Sequence, residues 1–141
     1  MAEFLAAAVQ TVAENQNVLF TDTTVCGNNS IIHRASSGLV TLRGVSSTQC
    51  RARFRITFGA NIAVPTGGTA GAIQLALAIN GEAISGTAMI VTPAAVEEFF
   101  NVGRTIYVDI PTGCCSQISV KNTSDQDISV EDAILTVERV A

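Results

Sequence analysis

The residues able to do chemistry are few and lie far apart in the sequence. His33 is the only histidine. A hydrolytic triad would need it beside a nucleophile and an orienting acid. Its run Ile31-Ile32-His33-Arg34 reads as strand with no nucleophile elbow, which puts this ring on a surface or at an interface. Cys114 and Cys115 stand at no helix N-terminus that would lower a thiol pKa. Asp125-Gln126-Asp127 with Glu131-Asp132 is the densest carboxylate cluster. It lacks the spacing and central glycine of a calcium hand, so it reads as a solvated turn, with a surface calcium ion between strands as the alternative. Glu97-Glu98 precede Phe99-Phe100 as charges guarding an apolar strand rather than as an acid/base pair. Gly67-Gly68 and Gly71 lack the lysine and the strand–loop–helix setting of a phosphate loop. Asn28-Asn29-Ser30 and Asn122-Thr123-Ser124 fit the glycosylation pattern, which arises readily by chance in loops rich in Asn and Ser. No set of titratable groups converges. The chain therefore reads as no enzyme, with no cofactor and no metal.

The one defensible constellation is Arg51, Arg53 and Arg55. At alternate positions of a strand, three guanidinium groups share one face and repel unless acids meet them. They form either a solvated outer sheet face or a salt-bridging stripe at a subunit or particle contact. Arginine suits the second role because it desolvates more readily than lysine and grips a carboxylate with two hydrogen bonds.

The elements that must carry this stripe are strands. Ala52, Phe54, Ile56, Phe58, Ala60, Ile62 and Val64 alternate with polar positions, a period of two that a helix would scatter. After the turn-rich stretch Pro65–Gly71, Ile73, Leu75, Leu77 and Ile79 alternate with small residues, which predicts a close neighbour on both faces. Asn80-Gly81 is a hairpin signal, because both central residues of a type I′ turn need positive φ. A return strand is expected over Glu82–Ile90. Further strands are expected at Phe99–Ile110, with Gly103 a bulge, and at Gln117–Asn122, Ile128–Val130 and Ala133–Val140. Upstream, Asn17–Phe20, Ser30–His33 and Leu39–Val45 are candidates. Eight to ten short strands with turn chemistry between them predict an all-β, single-domain jelly-roll sandwich. In residues 1–14, Phe4, Ala8 and Val12 fall at helical spacing, while Val9–Ala13 fits a first strand. The expectation is a short helix or arm leading into the head domain, residues 15–141.

Composition narrows the function. Hydrophobic residues make up 48% and charged residues 14% of the 141, against about 25% charged in an ordinary soluble domain. A lone domain has few charges here with which to cover its surface, which favours burial between subunits. Net charge is −4, with one lysine, Lys121. This excludes a dense cationic face for nucleic acid, and no apolar run approaches the roughly 20 residues of a membrane helix. Met1–Ala8 has no positive region before its apolar stretch and does not read as a secretion signal. Cys26, Cys50, Cys114 and Cys115 match no CxxC metal pattern. They are either small buried hydrophobes kept reduced, or a Cys26–Cys50 bridge, or thiols meeting across a subunit boundary.

The order of features from Arg51 onward resembles the jelly-roll head shared by tumour necrosis factor, the complement globular domain and bacterial collagen-like surface proteins. The carrying residues are Arg53–Phe58, Leu75–Ile84 with Asn80-Gly81 inside it, Thr105–Ile110, Ile118–Asn122 and the closing Ala133-Ile134-Leu135-Thr136-Val137. That resemblance implies a compact homotrimer without catalytic residues, its last strand near the three-fold axis. Leu135 and Val137 would then lie at the subunit contact, and Phe4 and Leu5 of the arm would meet the particle. The chain has no Gly-Xaa-Yaa stalk and few aromatics, which turns the resemblance toward a bacteriophage capsid decoration protein or fibre head. The expected partners are its own copies and the major capsid protein, and the expected place is the virion surface. The alternatives are a receptor- or glycan-binding fibre head and a bacterial spore or cell-surface head. Without tryptophan and with one tyrosine, Tyr107, the chain has little aromatic surface on which to stack sugars.

Overall fold

The computed structural model describes residues 1–25, 30–34, 36–44, 51–111 and 115–140. Twelve strands account for most of them, and no helix occurs among the described residues: β1 (Ala2–Ala6), β2 (Gln10–Val12), β3 (Asp22–Val25), β4 (Ile31–His33), β5 (Val40–Arg43), β6 (Arg51–Ala63), β7 (Ile73–Ile79), β8 (Glu82–Ala83), β9 (Met89–Val91), β10 (Phe100–Pro111), β11 (Cys115–Asn122) and β12 (Ile128–Arg139). They build two six-stranded sheets. The first runs β10-β6-β12-β1-β3, with β2 also on β12; the second runs β4-β5-β11-β7-β8, with β9 also on β7. Every pairing is antiparallel. The chain changes sheet after β3, β5, β6, β9, β10 and β11, which makes the sandwich a jelly roll.

Alternation decides which side chains enter the core. In β6 the residues Ala52, Phe54, Ile56, Phe58, Ala60 and Ile62 are buried, while Arg53, Arg55 and Thr57 face outward. In β7, Ile73, Leu75 and Leu77 fill the core, and Ala76 and Ala78 are buried on the other side, as the two-faced pattern predicts. Phe20 and Phe58 meet edge to face, their ring centres 6.4 Å apart. Phe54, Phe58 and Leu77 are fully enclosed, whereas Val108 is half-buried against the same cluster.

The N-terminus is strand rather than the helix or arm expected, and the alternative of a strand at Val9–Ala13 is met by β2. Residues 2–12 form one interrupted strand laid along β12, Ala2–Ala6 against Ala133–Val137 and Gln10–Val12 against Ile128–Val130. Between the two pieces Ala7, Ala8 and Val9 swing out, opposite a break in β12 where Asp132 takes φ 51°. Ala2, Phe4 and Ala6 are buried with period two, and sheet pairing overrides the helix propensity of the alanines. The register irregularity lies there and between Glu3 and Phe4; Gly103 is no bulge and pairs in register with Gly59.

Other boundaries also differ. Asn17–Phe20 forms isolated bridges to Lys121 and Ser37 rather than a strand, the Glu82–Ile90 region splits into β8 and β9, and β3 went unpredicted because Asp22-Thr23-Thr24-Val25 is exposed throughout and shows no alternation. Gly44 marks the tightest backbone approach: a Cβ there would collide with the carbonyl of Pro111.

Candidate functional site

Pairing register turns the outer face of the first sheet into an ordered grid. Residues directly opposite each other point to the same side. Reading from β10 through β6 to β12 and β1, the rows are Asp109 and Arg53; then Tyr107, Arg55 and Glu138; then Thr105, Thr57, Thr136 and Glu3; then Gly103, Gly59, Ile134 and Leu5.

The charges in this grid are met within the chain. Arg53 donates through Nε to Asp109 Oδ1 at 2.8 Å and through Nη2 to Oδ2 at 3.2 Å, a two-pronged grip. Arg51 approaches the same carboxylate at 3.6 Å, and Arg55 pairs with Glu138. The Arg53 hydrogen bond, with help from the charges of Arg53 and Arg51, holds the Asp109 carboxyl below its ordinary range, against the opposing effect of desolvation. Arg53 is in turn held above the usual arginine value, chiefly by its hydrogen bond to Asp109. Arg55 is held there too, chiefly by the charge of Glu138 and its hydrogen bond. The acids that an arginine stripe requires therefore sit on the strands either side of it, β10 and β12, and the stripe is a ladder inside one chain rather than an unfilled half of an ion-pair contact.

Beyond the ladder, from β10 to β1, the face carries one charge, Glu3, whose carboxylate accepts from the Thr24 hydroxyl at 2.7 Å. Thr57 and Thr105 hydroxyls lie 3.1 Å apart. Gly59 and Gly103 leave the sheet bare beside them. Ile134 and Leu5 form an apolar step next to an open hollow of about 230 Å³ lined by Leu5, Ala7, Asp132, Ala133 and Ile134. Tyr107 stands 61% exposed, and Ile134 and Val25 also show apolar surface to solvent.

Of the residues expected at an interface, Arg51, Arg53, Arg55 and Leu5 lie on this outer face. Phe4, Leu135 and Val137 do not. Their side chains point between the sheets and are buried in the protomer's own core, so they have no surface to offer a partner. The face residues missed from sequence, Tyr107, Thr136 and Ile134, share it by parity and register. The sequence pattern alone did not say which strands flank the arginines.

The other candidates resolve into structural roles. His33 Nε2 lies 2.8 Å from the Ser37 carbonyl oxygen, and its ring packs 4.5 Å from Phe4. Asn122 is fully buried: its Nδ2 donates to the carbonyls of Val12 and Gln126, and its Oδ1 accepts from the Ser124 amide and hydroxyl. This asparagine ties three segments together, and its amide is enclosed away from any glycosylating enzyme. Asn28 and Asn29 lie outside the described residues, as do Cys26, Cys50 and Cys114; Cys115 is exposed at the start of β11. Glu97 accepts from the amide and hydroxyl of Thr66, both at 2.9 Å, and so holds the loop after β6. Asp125, Asp127 and Glu14 line an open polar groove of about 510 Å³. Among the described residues no three His, Cys, Asp or Glu side chains converge as metal ligands.

No protein-family model matches this sequence, and no curated protein matches it significantly. Solved structures do match in shape. The globular domain of a zebrafish complement 1qA protein superposes with a TM-score of 0.68 over 99% of this chain and 96% of its own, at 11% identity. Murine APRIL superposes at 0.61 over 97% and 98%, at 9% identity. The chain has the jelly-roll fold of these heads. At such identities the likeness is one of fold alone, and it bears out the resemblance read from the strand order.

Proposed function

We propose that this chain is a non-catalytic structural module that assembles as a homotrimer through the outer face of its first sheet and decorates a virus particle, as a bacteriophage capsid decoration protein or fibre head does. The observation that carries the self-association is the state of that face. Its arginines are paired inside the chain, and next to them across β10, β6, β12 and β1 lies a strip of Thr57, Thr105, Thr136, Gly59, Gly103, Ile134 and Leu5 in which Glu3 is the one charged side chain. A surface that must stay wet gains from unpaired charge; one that must desolvate gains from charge already neutralised. The charge-poor composition supports the same reading.

Particle decoration rests on the resemblance to jelly-roll heads and is the finer part of the proposal. An attachment arm formed by residues 1–13 is dropped from it, because Ala2–Ala6 and Gln10–Val12 are integral to the first sheet and their removal would strip β12 of a neighbour. The receptor- or glycan-binding alternative gains little support. Tyr107 and Phe100 are the exposed rings among the described residues, and they lie on opposite faces of β10 by parity.

An Ile134→Glu variant tests the assembly. Ile134 is exposed in the protomer, so the fold should survive while a buried glutamate breaks the contact. Sedimentation should show the native assembly dissociating to folded monomers, and an undisturbed assembly would move the contact elsewhere. Co-purification of the native protein with a large shell tests decoration separately.

A further inference from the structure

The Asn80-Gly81 turn carries reactivity that the structural role leaves unused. It is the only Asn-Gly pair in the sequence. In that pair the glycine amide nitrogen can attack the asparagine side-chain carbonyl carbon with little steric hindrance. The N–C bond closes a five-membered succinimide, ammonia leaves, and water reopens the ring at either carbonyl to give aspartate or isoaspartate. No oxidant or cofactor takes part. Both residues are exposed, and nothing lies within 4 Å of where a Gly81 side chain would stand, so no neighbouring segment crowds the turn on that side.

Conformation is what restrains it. Asn80 and Gly81 take φ 52° and 86°, the two positive values of a type I′ turn, between Ile79 and Glu82, which pair across the hairpin. That turn sets ψ of Asn80 near about +30°, which holds the Gly81 nitrogen on the far side of Cα from the side chain. The side chain is also fixed. Asn80 Oδ1 accepts from the Gln117 main-chain N–H at 2.9 Å, and the Asn80 main-chain N–H donates to the Gln117 carbonyl at 2.8 Å, so side chain and backbone are both stitched to β11. Ring closure requires the hairpin to let go of β11 and ψ to swing.

We propose that Asn80 is a latent deamidation site, held closed by the β7–β8 turn and its two bonds to Gln117, and that its conversion marks loosening of this end of the second sheet. The products differ in consequence. Aspartate keeps an oxygen for the Gln117 amide and adds a negative charge. Isoaspartate adds a methylene to the main chain of a two-residue loop, which cannot absorb it while Ile79 and Glu82 stay in register.

The test incubates the full-length native protein at mildly alkaline pH, alongside the same protein unfolded in urea, and follows residue 80 by peptide mass mapping with isoaspartate detection. Deamidation at Asn80 in the unfolded chain should outpace that in the folded protein by about tenfold or more, as for a group reached only through local opening. Equal rates in the two states would overturn the gating. Absence of conversion at Asn80 in the unfolded chain would overturn the site itself.

Discussion

Replacing Asn122 by alanine should be among the most damaging changes at any polar residue of this chain. Its amide makes four hydrogen bonds from a fully buried position: to the Val12 carbonyl at 2.9 Å, to the Gln126 carbonyl at 2.9 Å, from the Ser124 amide at 2.9 Å and from the Ser124 hydroxyl at 2.8 Å. Truncation strands three main-chain groups: the Val12 and Gln126 carbonyls and the Ser124 amide. The Ser124 hydroxyl keeps its contacts with the main chain of Gln74. Each stranded group costs about 1–3 kcal/mol where it stays dry, as at Val12, and less at the part-buried Gln126 and Ser124, where water can enter. The sum comes to roughly 3–5 kcal/mol, a large share of the roughly 5–15 kcal/mol that holds a domain together. Urea unfolding should show a midpoint far below that of the native protein with the slope unchanged. Asn122→Asp tests the direction, since it keeps the shape and loses both Nδ2 donors; it should be no better than alanine. A loss below about 1 kcal/mol for alanine would mean that the three segments are held by packing and that the network is incidental.

Three further outcomes follow from the same geometry. Phe54→Ala should cost about 3–5 kcal/mol in urea unfolding, from lost burial and the cavity left between the sheets; a loss under about 1 kcal/mol would mean that the faces of β6 are reversed. Because the Asp109 carboxyl is held low by Arg53, its contribution is fully present above the ordinary carboxylate pKa and is lost as pH falls through the depressed folded value. Thermal unfolding of Asp109→Asn should therefore differ from native at neutral pH and converge with it in strong acid; a gap that persists unchanged into acid would remove the ion pair as its cause. Arg55 with Glu138 should show little or no coupling in a double-mutant cycle, since both side chains remain well exposed.

How much was legible in the sequence depended on how locally each feature is determined. β6 could be read almost residue by residue because alternation over thirteen positions leaves one arrangement, and the Asn80-Gly81 hairpin because its turn type demands those residues. At the N-terminus the sequence leaves both a helix or arm and a first strand open, because alanines satisfy helical and extended spacing alike and only β12 decides between them. The arginine stripe was found, but not its neutralisation. Asp109 and Glu138 lie 56 and 83 residues away from their partners, and no local pattern records which strands become neighbours. For the same reason Leu135 and Val137 were placed at a subunit contact when parity turns them inward and gives Ile134 and Thr136 to the outer face.

The central claim is assembly through the first sheet, and native mass measurement at micromolar concentration tests it most directly. A trimer should appear at three times the 14.7 kDa chain mass, falling to folded monomers on dilution or in the Ile134→Glu variant. A native protein that stays monomeric at micromolar concentration would contradict it.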